Sequence, residues 1–250
     1  IMELELEKIQ ESGDDVEIRY LDQGLHMTPL KMGPAIQAEI DRVPDEFDEI
    51  VLGYGLCANG IVGVKAPKQG LYVPKTHDCI ALFMGSFKTY RAAIKTRPGT
   101  FYLTAGWVED RKDPFSYMTD KYVPRMGRKM AEWGMKEELK HYSHFTLINT
   151  GAGNMAHLRE RALKNAAFFD KKFDEISGSA EMFRQMINGP LPSNDFLFIK
   201  PGARIRQNLF LDYGKKTSSE KTDPDLKPSP LQPTEVSGAG HPGTMSGSNQ

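Results

Sequence analysis

The chain has 250 residues, 39% hydrophobic and 26% charged, with 32 Lys+Arg against 33 Asp+Glu for a formal net charge of -1. That balance fits a globular protein able to bury a sizeable core and lacks the basic excess of a nucleic-acid binder. No stretch approaches the roughly 18 consecutive apolar residues of a membrane span. The opening Ile1–Lys8 is acidic and amphipathic, unlike a signal peptide, so a cytoplasmic location is expected.

Along the chain, Val16–Leu21 alternates like a strand, and Met32–Val43 is helical, with Ile36 and Ile40 four apart. Glu49–Gly53 is a short apolar run of the kind buried on both faces of a parallel sheet. Leu71–Pro74 reads as a strand with its proline near an end or edge. A helix is expected over Ile80–Lys95, ended by Arg97-Pro98-Gly99. Thr100–Thr104 is the next strand, and a long polar helix is expected over Ser116–Lys140. His144–Asn149 is a strand, Met155–Lys172 a helix, Asp174–Ser177 a short strand, Ala180–Ile187 a helix and Phe196–Ile199 a closing strand. Strands alternating with helices predict an α/β fold with a Rossmann-like, mainly parallel sheet covered by helices on both faces. Residues 1–214 form this domain, as one lobe or as two similar lobes broken near 110–143. Residues 215–250 are rich in Pro, Ser and Gly, carry almost no large apolar residues and are expected to be a disordered tail.

In open parallel sheets, ligands bind beyond the carboxyl ends of the strands. The segments that follow the predicted strands are Asp22–His26, Gly53–Gly60, Thr76–Cys79, Thr104–Trp107 and Asn149–Asn154. Both cysteines of the chain, Cys57 and Cys79, fall on this edge, with His26 and His77. His77-Asp78-Cys79 plus Cys57 offers one nitrogen and two sulfur ligands, a set that suits zinc with an open fourth position. In extended backbone His77 and Cys79 would point to one side, and His26 or Asp78 would complete or support the shell. Two other readings stay open: a pair of buried thiols beside a polar cleft histidine, and a redox or nucleophilic cysteine. For the last, Cys57 or Cys79 would need a pKa lowered by His77 or by the helix starting at Ile80, with Asp78 in a catalytic role.

Gly151 and Gly153 open a helix after a strand, where amides hold a phosphate or carboxylate, although Ala156 replaces the third glycine of a dinucleotide fingerprint. Gly53 and Gly55 could do the same or simply permit a turn. Tyr54 and Trp107 read as walls for a planar ligand, or as core. Met126, Met130, Met135 and Trp133 lie along the long helix and read as a packing face.

Leu21-Asp22-Gln23-Gly24-Leu25-His26, Leu52–Gly60, His77–Ile80 with Gly85-Ser86, and Pro98–Thr100 through Gly106-Trp107 occur in this order. Together they resemble the bacterial and archaeal family named for domain of unknown function 1638, over about residues 15–210. Ala58 and Ala105 depart from it, standing where many relatives are expected to carry Gly and Pro. Members of that family often appear among genes for corrinoid-dependent methylamine or other methyl-group metabolism. The resemblance therefore implies one-carbon transfer, as a methyltransferase or its accessory factor, with a corrinoid cofactor or a corrinoid protein as partner. The ligand set is also similar to the thiol-activating zinc of corrinoid:thiol methyltransferases, which are built on a different barrel fold. The expected partner at this edge is a small-molecule substrate or a corrinoid protein, with no nucleic acid and no membrane. A non-catalytic module that captures a small ligand or corrinoid, and a metal-free cysteine enzyme, are the alternatives.

Overall fold

Helix α1 (Glu3–Ile9) carries Glu3 and Glu5 in its first turn and Lys8 in its last, in accord with the helix dipole. This computed structural model describes residues 1–10, 15–190 and 195–211; the tail expected over 215–250 lies outside them. Val16–Leu21 is irregular rather than a strand, with no ladder partner among the described residues. Asp22 then opens a 3-10 turn, Gln23–Met27, by accepting the Gly24 N–H at 2.5 Å. Helix α2 (Pro29–Ile40) starts on a proline, which needs no amide there, and buries Met32, Ile36 and Ile40 on one face.

The expected strand Glu49–Gly53 makes a single parallel bridge, Val51 to Tyr72 of β1 (Leu71–Pro74). Beyond it the two segments stay side by side, because Leu56 N–H donates to the Thr76 carbonyl at 2.8 Å and Cys57 N–H to that of His77 at 3.1 Å. The helix expected over Ile80–Lys95 is two, α3 (Ile80–Phe83) and α4 (Phe87–Thr96). Gly85 breaks it at φ +78°, and Ser86 caps α4 by accepting the Thr89 N–H at 3.1 Å.

Strand β2 (Thr100–Leu103) leads into α5 (Ala105–Glu109). The long helix expected over Ser116–Lys140 is a chain of short ones: α6 (Pro114–Tyr117), a π turn, α7 (Val123–Met126) and α8 (Arg128–Glu138), the last two parted by Gly127 at φ +77°. Of the packing face read there, Met135 is buried but Met126, Met130 and Trp133 are exposed. Strand β3 (His144–Asn149), α9 (Met155–Phe168), β4 (Lys172–Ser177), α10 (Glu181–Ile187), β5 (Phe196–Ile199) and α11 (Asn208–Leu211) complete the order.

The fold is α/β. Strands β2, β3 and β4 form a three-stranded parallel sheet in that order, and β3 is central and buried on both faces. Phe145 and Leu147 face one core with α5, α8 and α9, while Ile148 faces a second with α3, α4 and α10. That split follows from the alternation of side chains along a strand. Strand β5 does not extend the parallel series: it pairs antiparallel with β1, Leu71 opposite Ile199. A third core under this pair joins α2 to Leu52, Leu56, Ile205 and Phe210. Helix α6 is fastened to α9 by buried Asp113, which accepts from Asn165 Nδ2 at 2.6 Å, Ser116 Oγ at 2.5 Å and Arg161 at 3.2 Å.

Candidate metal centre

Three segments distant in sequence supply the site: the 3-10 turn, the loop after residue 53 and the loop after β1. His26, in the last turn of the 3-10 helix, stacks on Tyr54 with ring centroids 6.0 Å apart. Cys79 is buried at the start of α3. Cys57 opens a left-handed turn, with Cys57, Ala58 and Asn59 at φ +44°, +53° and +69° and the Gly60 N–H returning to the Cys57 carbonyl at 2.9 Å. Three successive non-glycine residues in this region are strained, and such strain persists only where the surroundings impose it. Here the tie to His77 and the packing of Gly60 against Met32 impose it.

The two sulfurs lie 2.9 Å apart. One ligand atom from each of His26, Cys57 and Cys79 falls within 4.8 Å of the others. His77, expected as a ligand beside Cys79, is not in this trio. Cys79 has helical backbone, φ -61° and ψ -19°, so the extended geometry that would align residues 77 and 79 is absent. The His77 Nε2 instead sits 2.9 Å from the Phe210 carbonyl, its ring against Phe87.

Electrostatics distinguish the thiols. The contact with the Cys57 sulfur, then the neighbouring His26 and the Gly55 N–H donated at 3.3 Å, lower the Cys79 pKa well below its ordinary value. The same sulfur–sulfur contact, together with desolvation, pushes the Cys57 pKa well up. Gly55 is needed at this point because a Cβ there would lie 3.1 Å from the Thr76 carbonyl oxygen and the Asp78 carbonyl carbon. Asp78 caps α3: its Oδ1 accepts the Ile80 N–H at 2.9 Å and its Oδ2 the Tyr90 hydroxyl at 3.2 Å. Burial raises the pKa of Asp78, and burial followed by the two cysteines raises that of Tyr54.

The remaining candidates are dispersed. Trp107 is buried in the β2–β3 core, edge-on to Phe101. Gly151 takes Lys8 Nζ on its carbonyl at 2.7 Å, and a Cβ on Gly153 would meet Leu4 and Leu158, so this turn packs against α1. Gly53 lies against the sulfurs of Met2 and Met186. Gln23 enters the sequence only as one member of the Leu21–His26 block, and Tyr90 carries no signal there. Residues three apart in a 3-10 turn eclipse one another. Gln23 thus shares a face with His26, and both amide atoms of Gln23 and both ring nitrogens of His26 are buried without an ordinary hydrogen bond.

The family model described as "Protein of unknown function (DUF1638)" matches residues 20–187, a span that holds His26, Cys57 and Cys79. The chain belongs to this family. No curated protein and no solved structure matches it. Among the described residues no helix is long and apolar enough to cross a membrane.

Proposed function

We propose that this protein binds a thiophilic transition metal, zinc-like in its preferences, through His26, Cys57 and Cys79. The observation that carries the reading is the convergence of these three donor atoms, with both imidazole nitrogens buried and without an ordinary hydrogen bond among the described residues. Two thiolate sulfurs and one imidazole nitrogen suit zinc and leave one position of a tetrahedron open. Zinc about 2.3 Å from each sulfur would hold them about 3.8 Å apart. The present 2.9 Å separation would therefore widen by an amount that a side-chain rotation supplies. Asp78 and Tyr90 fix the turn that presents Cys79, and Tyr54 fixes the plane of the His26 ring. Zinc with a free position lowers the pKa of a bound thiol or water. This is the chemistry that a methyltransferase or accessory factor of one-carbon or corrinoid metabolism would use; that setting, with a corrinoid or corrinoid protein as partner, rests on the family resemblance.

Metal analysis of protein purified under reducing conditions tests the reading. One equivalent of zinc is expected, lost in His26→Ala and Cys57→Ser and retained in His77→Ala. Protein that stays metal-free under zinc dialysis, or that loses its metal only with His77, would overturn it. A second reading, a metal-free nucleophilic cysteine, is favoured by the Gly55 N–H donated to the Cys79 sulfur and by the lowered pKa of Cys79. It predicts rapid alkylation of Cys79 that added zinc does not suppress.

A further inference from the structure

We infer that Cys57 and Cys79 form a reversible thiol–disulfide pair in exchange with the metal: a low-molecular-weight disulfide joins the two sulfurs and thereby removes the ligands that hold the ion. The sulfur–sulfur step stands on the cysteine geometry alone; its consequence for the metal rests on the function proposed above.

The 2.9 Å separation lies between about 2.05 Å for a disulfide and about 3.8 Å for two sulfurs astride zinc. Both end states are therefore within a short side-chain movement. The main chains are already adjacent, since Leu56 and Cys57 donate their amides to Thr76 and His77 across the two loops. The sequence has two cysteines, so each is the other's partner for an internal bond. Access is graded, with Cys57 half-buried and Cys79 buried.

An external disulfide thus meets Cys57 first. As the Cys57 sulfur attacks it, the Cys57 proton passes to the Cys79 sulfur 2.9 Å away, the external S–S bond breaks, one thiol leaves and a mixed disulfide forms on Cys57. The Cys79 sulfur then attacks the Cys57 sulfur, forming the internal bond and expelling the second thiol. Two electrons pass from the protein to the external disulfide, which is reduced to two thiols that take their protons from the cysteine pair and from solvent. A disulfide has no thiolate charge to offer a cation, so the joined pair no longer holds zinc, and bound zinc shields both sulfurs from attack.

The full chain, metal-free and zinc-loaded, is equilibrated in buffers of oxidised and reduced glutathione, with free thiols counted and intact mass recorded. Metal-free protein is expected to lose both thiols together, with a mass lower by two hydrogens and no glutathione retained. Cys79→Ser is expected to keep one glutathione on Cys57. Zinc-loaded protein is expected to oxidise more slowly, in proportion to occupancy, releasing its zinc as the thiols disappear and rebinding it on reduction. Zinc binding with thiols that stay free, or that each retain glutathione, would overturn the inference and leave the metal reading standing. Internal oxidation in a chain that never takes up zinc would defeat the metal reading and the exchange with it.

Discussion

Replacing Ala58 by glycine should stabilise the protein. Ala58 is exposed, at φ +53° in the middle of the left-handed turn, so its methyl group contributes little burial while its backbone is strained. A left-handed conformation costs an L-residue about 1–2 kcal/mol, which glycine avoids. Glycine returns about 0.4–1 kcal/mol of that through the greater freedom of the unfolded chain. The net gain is about 0.5–1 kcal/mol, a rise in melting temperature of about 1–4 °C for a domain of this size. Thermal and urea unfolding of wild type and Ala58→Gly measure it. Asn59→Ala, at φ +69°, should move the other way, because asparagine tolerates this region better than alanine. Zinc affinity should be unchanged in Ala58→Gly, since Ala58 supplies no ligand atom. A less stable Ala58→Gly would refute the reasoning, as that is the outcome for a residue at negative φ.

Asp113→Ala should cost about 3–5 kcal/mol in urea unfolding, because it removes a fully buried acceptor and leaves the Arg161 cation without its carboxylate; a change below about 1 kcal/mol would show that α6 is not fastened to α9 in this way. Gly55→Ala should destabilise by about 1–3 kcal/mol, since its Cβ meets backbone at 3.1 Å, and should weaken zinc binding by displacing the amide that donates to Cys79. Unchanged zinc uptake in that variant would argue against the contact. Glu5 is buried, accepts from Thr150 through Oε1 at 2.8 Å and has no partner on Oε2 among the described residues; burial raises its pKa above 4.5. The folded state therefore holds its proton more tightly than the unfolded state, and the Glu5 contribution to stability is lost as pH rises from 4.5 through the folded pKa. Glu5→Gln should match wild type in acid and melt higher at neutral pH, a difference that a melting series against pH would show or exclude.

Period and punctuation in the sequence identify β1 to β5 and helices α2, α9 and α10, because apolar spacing records which face of an element is buried whatever it packs against; α1, α5 and α11 are not expected from it, and two expected helices are broken at Gly85 and Gly127. The same local signals place Cys57 and Cys79 in loops after apolar segments, where chemistry is usually found. Tertiary packing decided the rest. It left Val16–Leu21 without a ladder and turned β5 antiparallel on β1, since neither a partner nor a strand direction is written in a period of two. It also chose between two histidines: Cys79 entered a helix, which took His77 out of line, and the fold of the 3-10 turn carried His26 to the sulfurs instead. Which residues lie along one segment is a local matter, fixed by backbone geometry. Which side chains from three separate segments meet is set only when their buried faces find one another in the closed fold.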